Sequence, residues 1–144
     1  MIQKFLFAAP EISADFKYPA SFLNYCATAK NDSLEPWYIF EDAEEAMDWL
    51  ETVREWYPTR NLIPFARDDV SGDDIACFDG ADVAGDPKVH FVHTFASAGW
   101  EDRGNVPNFA AWLVEAGKSH AAYLAQLAED QAYEAKRSED RAKK

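Results

Sequence analysis

Two histidines, His90 and His93, are the residues whose type and spacing first suggest metal chemistry. Zinc sites draw on His, Cys and carboxylate ligands, and aspartates lie nearby in the sequence. The run from Val89 to Phe95 is rich in β-branched and aromatic residues and predicts a strand. Residues three apart on a strand point to opposite faces, so the pair could share a metal only if the segment were helical or bulged. We expect a hydrogen-bonded, half-buried His93. A metal-dependent hydrolase built on the two histidines and the aspartates ranks last of three hypotheses.

Cys77 could act as a nucleophile beside His93 on a neighbouring strand. It lies between Ala76 and Phe78 in a strand pattern, however, which favours a core position. Cys26 and Cys77 form no C-x-x-C pair, and both are expected to be free, buried thiols. The sequence has no G-x-S-x-G, P-loop or G-x-G-x-x-G motif. A carboxylate pair for glycoside hydrolysis stays open, since 26 acidic residues offer many pairs and no spacing selects one. We expect no enzymatic activity, no metal and no cofactor.

The segment 67–86 is rich in aspartate, which invites comparison with calcium sites. The EF-hand order of ligands is absent from it. Asp is also a common turn residue, so turn chemistry on a solvated acidic surface is the first interpretation, ahead of a partner-binding surface and of a metal site. The segment has seven aspartates. Six of them are candidate partner-binding residues: Asp68, Asp69, Asp73, Asp74, Asp79 and Asp82. The seventh, Asp86, is not in the candidate set.

A line of carboxylates is expected on a helix from about Asp42 to Trp56. Asp42 fits an N-cap, Glu45 follows three residues on as in a capping box, and Pro58 stops the helix. Four acidic residues recur at i, i+4, i+7 and i+11, on the face opposite the apolar positions. These candidate partner-binding residues are Glu44, Asp48, Glu51 and Glu55.

Trp100 is the most unusual of the five tryptophans. It lies in a Gly-bounded loop, residues 98–104, between a predicted strand and a predicted helix. An aromatic residue in such a loop is either a lid over the core or an anchor for a partner, and Trp100 joins the candidate partner-binding set. Trp49 and Trp112 fall on apolar helix faces and are expected in the core.

The net charge of the chain limits the classes of partner that it can bind. The 144 residues carry 26 Asp and Glu against 14 Lys and Arg, a formal net charge of −12. Residues 1–104 hold all of it, with 20 acids and 8 bases. Such a charge disfavours nucleic acid and anionic membranes and favours a basic protein.

No stretch approaches the roughly 20 apolar residues of a membrane span, and the apolar run from Phe5 to Ala9 is too short for a signal peptide. We expect a cytoplasmic protein.

The length of the chain fits one domain. We expect this domain to span residues 1–137 and to be followed by a frayed tail at 138–144. Pro64 suggests an edge strand or a bulge, and whether Gly117 ends a helix stays open. The predicted class is α+β: an antiparallel sheet of about four strands packed against flanking helices, with a long C-terminal helix. The predicted elements are a helix after Pro19 that is broken at 31–33, a strand at 37–40, the acidic helix, strands at 61–66, 74–79 and 89–95, and a helix over about 107–137.

Five short motifs follow one another over about residues 16–115. In order, they are Tyr18-Pro19-x-x-Phe22-Leu23, Leu62-Ile63-Pro64-Phe65-Ala66, Ser71-Gly72-Asp73, Cys77-Phe78-Asp79 and Asn108-Phe109-Ala110-Ala111-Trp112-Leu113. This series resembles the SUKH superfamily, which contains bacterial toxin-immunity proteins and a yeast cell-wall synthesis regulator. Residues 29–33 depart from the Asn-Gly-Gly that members often have after the first helix. The resemblance implies an α+β fold, no catalytic residues and binding to a cognate toxin domain, often a nuclease.

The leading hypothesis is therefore an immunity protein that neutralises a cognate, basic toxin domain through its acidic surface. The alternative is an intracellular regulatory adaptor of the same fold with no link to a toxin. The C-terminal helix carries no net charge and offers Tyr123, Leu124, Leu127 and Tyr133, through which the chain could form a homodimer.

Overall fold

A computed structural model describes residues 4–28 and 33–142. They form an α+β domain in which a five-stranded antiparallel sheet lies among three helices, as the predicted fold class requires. The elements are α1 (Ala20–Thr28), β1 (Trp37–Ile39), α2 (Ala43–Trp56), β2 (Leu62–Asp68), β3 (Asp74–Asp79), β4 (Val89–His93), β5 (Asp102–Val106) and α3 (Phe109–Ala142).

The strands follow one another across the sheet in chain order, and each pairs antiparallel with the next. The sheet was predicted with about four strands and has five among the described residues; the additional strand is β5, in a segment whose residues are almost all exposed and polar. Pro64 sits in an interior strand, and the ladder register shifts between Pro64 and Ala66. Of the two predicted alternatives, an edge strand and a bulge, the register shift agrees with the bulge. A proline has no N–H to donate to the ladder, so an interruption at this position is expected.

Helices cover both faces of the sheet, so its central strands are buried on both sides. On one face, Phe22 of α1 and Phe109 of α3 meet Phe65 and Phe78, with ring centroids 5.0–6.2 Å apart. On the other face, α2 lies against β2, where Glu45 pairs with Arg67 at 2.6 Å. Both faces therefore contribute to the core, which suits a domain of this size.

Trp112 is the largest side chain that is wholly buried. Its ring contacts those of Trp37, Phe65 and Phe109 at centroid distances of 5.7, 4.9 and 5.6 Å. The prediction of a core position is confirmed for Trp112. Trp49 is instead half-buried at the edge of the core.

The last helix is longer than expected. It runs unbroken through Gly117 and on to Ala142, so residues 138–142 are helical and were wrongly predicted as a frayed tail. Lys143 and Lys144 lie outside the described residues, as do Asn31 and Asp32 of the predicted break after α1. Within the described chain, no helix is both long and apolar enough to cross a bilayer.

Gly117→Ala is expected to raise the free energy of unfolding by about 0.5–1 kcal/mol. Gly117 is exposed within α3, and nothing lies within 4 Å of the position that a Cβ would take. Alanine therefore adds helix propensity without a clash. Urea unfolding measures the change, and a loss of stability would show that the glycine has a packing role.

Both cysteines of the chain are free, Cys77 buried and Cys26 half-buried. Burial raises the pKa of the Cys26 thiol to about 11 and that of Cys77 further. A raised pKa keeps the thiol protonated, and only the thiolate is alkylated. At pH 8 we expect Cys26 to react with iodoacetamide about 100-fold more slowly than in the urea-unfolded chain, with a rate that rises about tenfold per pH unit up to pH 10. A Cys26→Ser chain isolates Cys77, which should stay unlabelled until unfolding; rapid labelling of either folded thiol would contradict this.

Candidate functional site

The acidic helix α2 is positioned by its cap and by a contact with the sheet. The side chain of Asp42 accepts a hydrogen bond from the Glu44 backbone N–H at 3.0 Å, which confirms the predicted N-cap. Glu45 pairs with Arg67 instead of folding back as in a capping box. Ala46, Leu50 and Val53 are buried and fix the face that α2 turns toward the sheet.

The predicted line of carboxylates on α2 lies on its outer face, with all four side chains exposed. At 1.5 Å per residue the line is about 16 Å long. Arg54, the helix's one basic residue, donates to the Glu11 carbonyl and neutralises none of them. Within residues 4–28 and 33–142, none of the four forms an ion pair. We call this line the acidic stripe: Glu44, Asp48, Glu51 and Glu55.

The loop aspartates do not form one surface. Asp68, Asp69, Asp73 and Asp74 lie where β2 meets β3, whereas Asp79 and Asp82 lie at the other end of β3. At 3.4 Å per residue these ends are about 17 Å apart. The candidate set was therefore wrong in treating these loops as one surface.

Most of these aspartates have local partners, as the turn interpretation predicts. Asp68, Asp79 and Asp82 accept hydrogen bonds from backbone N–H groups two residues on, and Asp68 also from Ser71. Asp69 pairs with Arg67, and Asp74 with His93. Asp73 contributes its backbone carbonyl, which accepts from Thr94. The side-chain carboxylates of the acidic stripe differ from them: among the described residues they accept no hydrogen bond, and Asp48 contributes only its backbone carbonyl, which accepts from the Thr52 hydroxyl at 2.9 Å.

Exposed aromatic residues lie beside α2. The ring of Phe95 is 5.5 Å from that of Trp56 and 6.4 Å from that of Trp49. Phe95 is 50% exposed, Trp56 42%, and Trp100, on the same loop as Phe95, 76%. The exposure of Trp100 is inconsistent with a lid over the core, and its role as an anchor for a partner stays a prediction. We call Trp49, Trp56 and Phe95 the aromatic cluster.

The loop that carries Phe95 and Trp100, residues 94–101, is held at both ends. The Tyr57 hydroxyl donates to the Ala96 carbonyl at 2.7 Å, and the Thr94 hydroxyl to the Asp73 carbonyl at 2.6 Å. At the far end, the buried carboxylate of Glu101 accepts from the Gly99 N–H at 3.2 Å and lies 4.0 Å from an Arg60 nitrogen. The loop thus presents two aromatic side chains on an anchored backbone, which lowers the entropy cost of binding.

Phe95 has φ = 67°, the one non-glycine residue with a positive φ among those described. A bulky residue in the left-handed region costs about 1–2 kcal/mol. That conformation ends β4 at His93, two residues before the predicted end at Phe95. It also turns the Phe95 ring toward α2 and away from the line of the strand.

Phe95→Asn is expected to change the free energy of unfolding by less than about 1 kcal/mol, although it removes an aromatic ring. Asparagine tolerates a positive φ, so relief of strain offsets the lost ring contacts. Phe95→Val is the matched control, because a β-branched residue is a genuine outlier there and should be about 1–2 kcal/mol less stable than the asparagine variant. Chemical denaturation compares them, and equal stabilities would contradict the strain argument.

The histidines lie where the strand geometry places them, on opposite faces of β4. His93 Nδ1 is 2.6 Å from Asp74 Oδ1, and His90 Nε2 is 3.4 Å from Asp79. His93 is thus half-buried and hydrogen-bonded, as expected. Cys77 is the register partner of His90, so it faces away from His93 and the two cannot form a dyad.

A cleft of about 420 Å³ lies beside the Asp74–His93 pair. Trp37 and Phe91 give it an apolar side, and Arg103 adds a cation. Among the described residues that line the cleft there is no Ser, Thr or Cys, so these residues give the histidine no hydroxyl or thiol to activate. In the described parts of the chain, no three His, Cys, Asp or Glu residues converge as metal ligands, so the hydrolase hypothesis gains no geometric support.

No protein-family model, no curated protein and no solved structure matches this chain. The resemblance to the SUKH superfamily therefore stays a prediction from the sequence. Of the predicted site residues, the fold brings the acidic stripe together on one helix and leaves Trp100 exposed on the loop of Phe95. The candidate residues predicted from the sequence did not include Trp49, Trp56 or Phe95, which lie beside the acidic stripe.

Proposed function

We propose that this chain is a non-enzymatic binding protein that neutralises a cognate bacterial toxin domain by protein–protein contact in the cytoplasm. The observation that carries the proposal is the acidic stripe, exposed and unpaired among the described residues, beside an exposed aromatic cluster. Aromatic anchors supply most of the energy of protein interfaces. Fixed charges of one sign speed the encounter with a partner of the opposite sign.

The class of partner follows from charge and from the SUKH resemblance. Toxins that act on nucleic acid need basic clefts to hold phosphate, and an acidic helix can occupy such a cleft. An interface of ordinary size buries about 1,600 Å² in total, or about 800 Å² on each partner. The exposed faces of α2 and of residues 94–101 form one region on which such an interface can be centred.

Co-expression with a toxin tests the proposal. The toxin domain encoded beside this gene is induced in cells with or without the chain, and the two proteins are then run together on a sizing column. We expect survival only with the chain, and a stable complex of the two. Cell death in its presence, with separate elution, would contradict the proposal.

A regulatory adaptor is the second candidate, favoured by the free end of α3. His120 contacts the Glu35 carbonyl at 2.7 Å, and every residue from Leu124 to Ala142 is exposed. Leu124, Leu127 and Tyr133 are the large apolar residues that this segment exposes to a partner or to a second copy. Light scattering distinguishes the two candidates. A dimer that Leu124→Glu with Leu127→Glu dissociates would favour the adaptor, and a monomer that binds the toxin would favour immunity.

A further inference from the structure

We propose that the aromatic cluster, with Trp100, is the docking point for an arginine side chain of the basic partner. This inference rests on the proposed function and names the chemical group that the surface recognises. The guanidinium would lie over the exposed aromatic rings, with its charge facing the acidic stripe. Arginine is the cation that most often stacks on aromatic faces and is enriched in binding hot spots.

The geometry of α2 places the tryptophans of the aromatic cluster beside carboxylates of the acidic stripe. At 100° per residue, Trp49 and Trp56 lie within about 20° of each other around the helix. Asp48 and Glu55 directly precede them in sequence and lie about 80–100° round the helix from Trp56, on the exposed side. A cation over the rings therefore lies next to carboxylates that, among the described residues, have no ion-pair partner.

The chain already contains the proposed arrangement internally. The guanidinium of Arg67 lies 5.0 Å from the centre of the Tyr38 ring. The same group pairs with Glu45 at 2.6 Å and also with Asp69. A guanidinium stacked on an aromatic ring and paired with carboxylates is thus a stable arrangement on this fold, and α2 supplies one of the carboxylates.

The charge of the neighbouring carboxylates indicates which chemical group binds to the exposed aromatic rings. Trp56 and Phe95, whose ring centroids are 5.5 Å apart, form an exposed apolar surface of the kind that marks interaction sites, and Trp100 is exposed on the same loop as Phe95. A purely apolar partner would leave the nearby carboxylates to be desolvated without compensation, and an acidic partner would be repelled. A guanidinium satisfies both the ring faces and the carboxylates.

Nuclear magnetic resonance titration tests this inference on the ¹⁵N-labelled full chain. The probe is acetyl-tetra-arginine amide, and the control is acetyl-tetra-citrulline amide, which keeps the shape and loses the charge. We expect arginine-specific shifts of the Trp56 and Trp100 indole N–H signals and of the 94–101 backbone amides. These shifts should weaken in high salt. The citrulline peptide should give less than about a tenth of the shift.

The Trp56→Ala, Trp100→Ala double variant removes the proposed docking point and keeps the acidic stripe. Both side chains are exposed, so its spectrum should change only around the two substituted positions and around Phe95, whose ring contacts that of Trp56. We expect its tetra-arginine affinity to fall at least about tenfold. Equal affinity for this variant, equal shifts with citrulline, or no indole shifts at millimolar arginine peptide would each overturn the inference.

Toxin protection separates this inference from the proposed function. If the double variant protects cells as well as the wild type does, arginine docking is wrong and neutralisation stands. If the wild type binds the arginine peptide at the indoles but fails to protect, neutralisation is wrong and the docking point stands.

Discussion

Neutralising the acidic stripe is expected to abolish toxin protection while leaving the fold intact. The variant carries Glu44→Gln, Asp48→Asn, Glu51→Gln and Glu55→Gln. Because all four side chains are exposed and, within the described residues, without ion pairs, their loss should change stability by less than about 1 kcal/mol. Loss of steering should lower the association rate with the toxin by about 10- to 1,000-fold. Stopped-flow association and cell survival measure the effect.

The chain offers a matched control on α3, where Glu129→Gln, Asp130→Asn, Glu134→Gln and Glu139→Gln also remove four exposed carboxylates. Both variants have the same net charge. The control also loses the exposed Arg137–Glu134 ion pair at 3.8 Å and the hydrogen bond from Gln126 to Asp130 at 3.0 Å, neither of which lies near α2. The control variant should protect and associate nearly as the wild type does. Equal losses in the two variants would mean that net charge alone drives binding and that α2 holds no special surface.

Trp112→Ala is expected to lower the free energy of unfolding by about 3–5 kcal/mol, out of a total of about 5–15 kcal/mol for a domain of this kind. The substitution empties a site between Trp37, Phe65 and Phe109 that neither sheet nor helix can close. The melting temperature should fall by about 10–20 °C. Calorimetry and urea unfolding measure the loss.

Two substitutions serve as controls for this core prediction. Trp112→Phe keeps most of the volume and removes the Trp112 Nε1–H, which is buried without a hydrogen-bond partner among the described residues. It should therefore cost much less than alanine. Trp100→Ala changes a side chain that is 76% exposed and should stay within about 0.5 kcal/mol of the wild type. A loss at Trp100 as large as that at Trp112→Ala would contradict the arrangement of core and surface.

The acidic stripe could be predicted because its signal is local. Apolar and acidic residues of α2 both repeat with the period of a helix, so each class falls on one side whatever the rest of the fold does. Strands β2, β3 and β4 are likewise predicted by their β-branched and aromatic residues. β5 lacks that signal, since Asp102, Arg103 and Asn105 are polar and exposed, and pairing with β4 alone defines it.

The aromatic cluster could not be predicted in the same way. Phe95 continues the alternation of the preceding strand, and nothing local indicates that the backbone turns at this residue. Its neighbours Trp49 and Trp56 lie about 40 residues earlier in the sequence, so their proximity is a property of tertiary packing. A usable signal was the run of small residues, 96–99, between Phe95 and Trp100, which is typical of a loop that presents aromatic side chains.

The separation of the loop aspartates was, by contrast, available from the sequence. Successive turns of an antiparallel meander lie at alternate ends of the sheet, so residues 68–74 and 79–86 were bound to face opposite directions once three hairpin-connected strands were predicted. Their local hydrogen bonds follow from the ordinary preference of Asp for turns.

The ionic-strength dependence of the association rate with the cognate toxin domain tests the central claim most directly. We measure it for the wild type, the stripe variant and the α3 control between about 0.05 and 0.5 M salt, where the Debye length shrinks from about 14 to about 4 Å. The account predicts a steep fall for the wild type and the α3 control, and a nearly flat line for the stripe variant. Three parallel lines would contradict it.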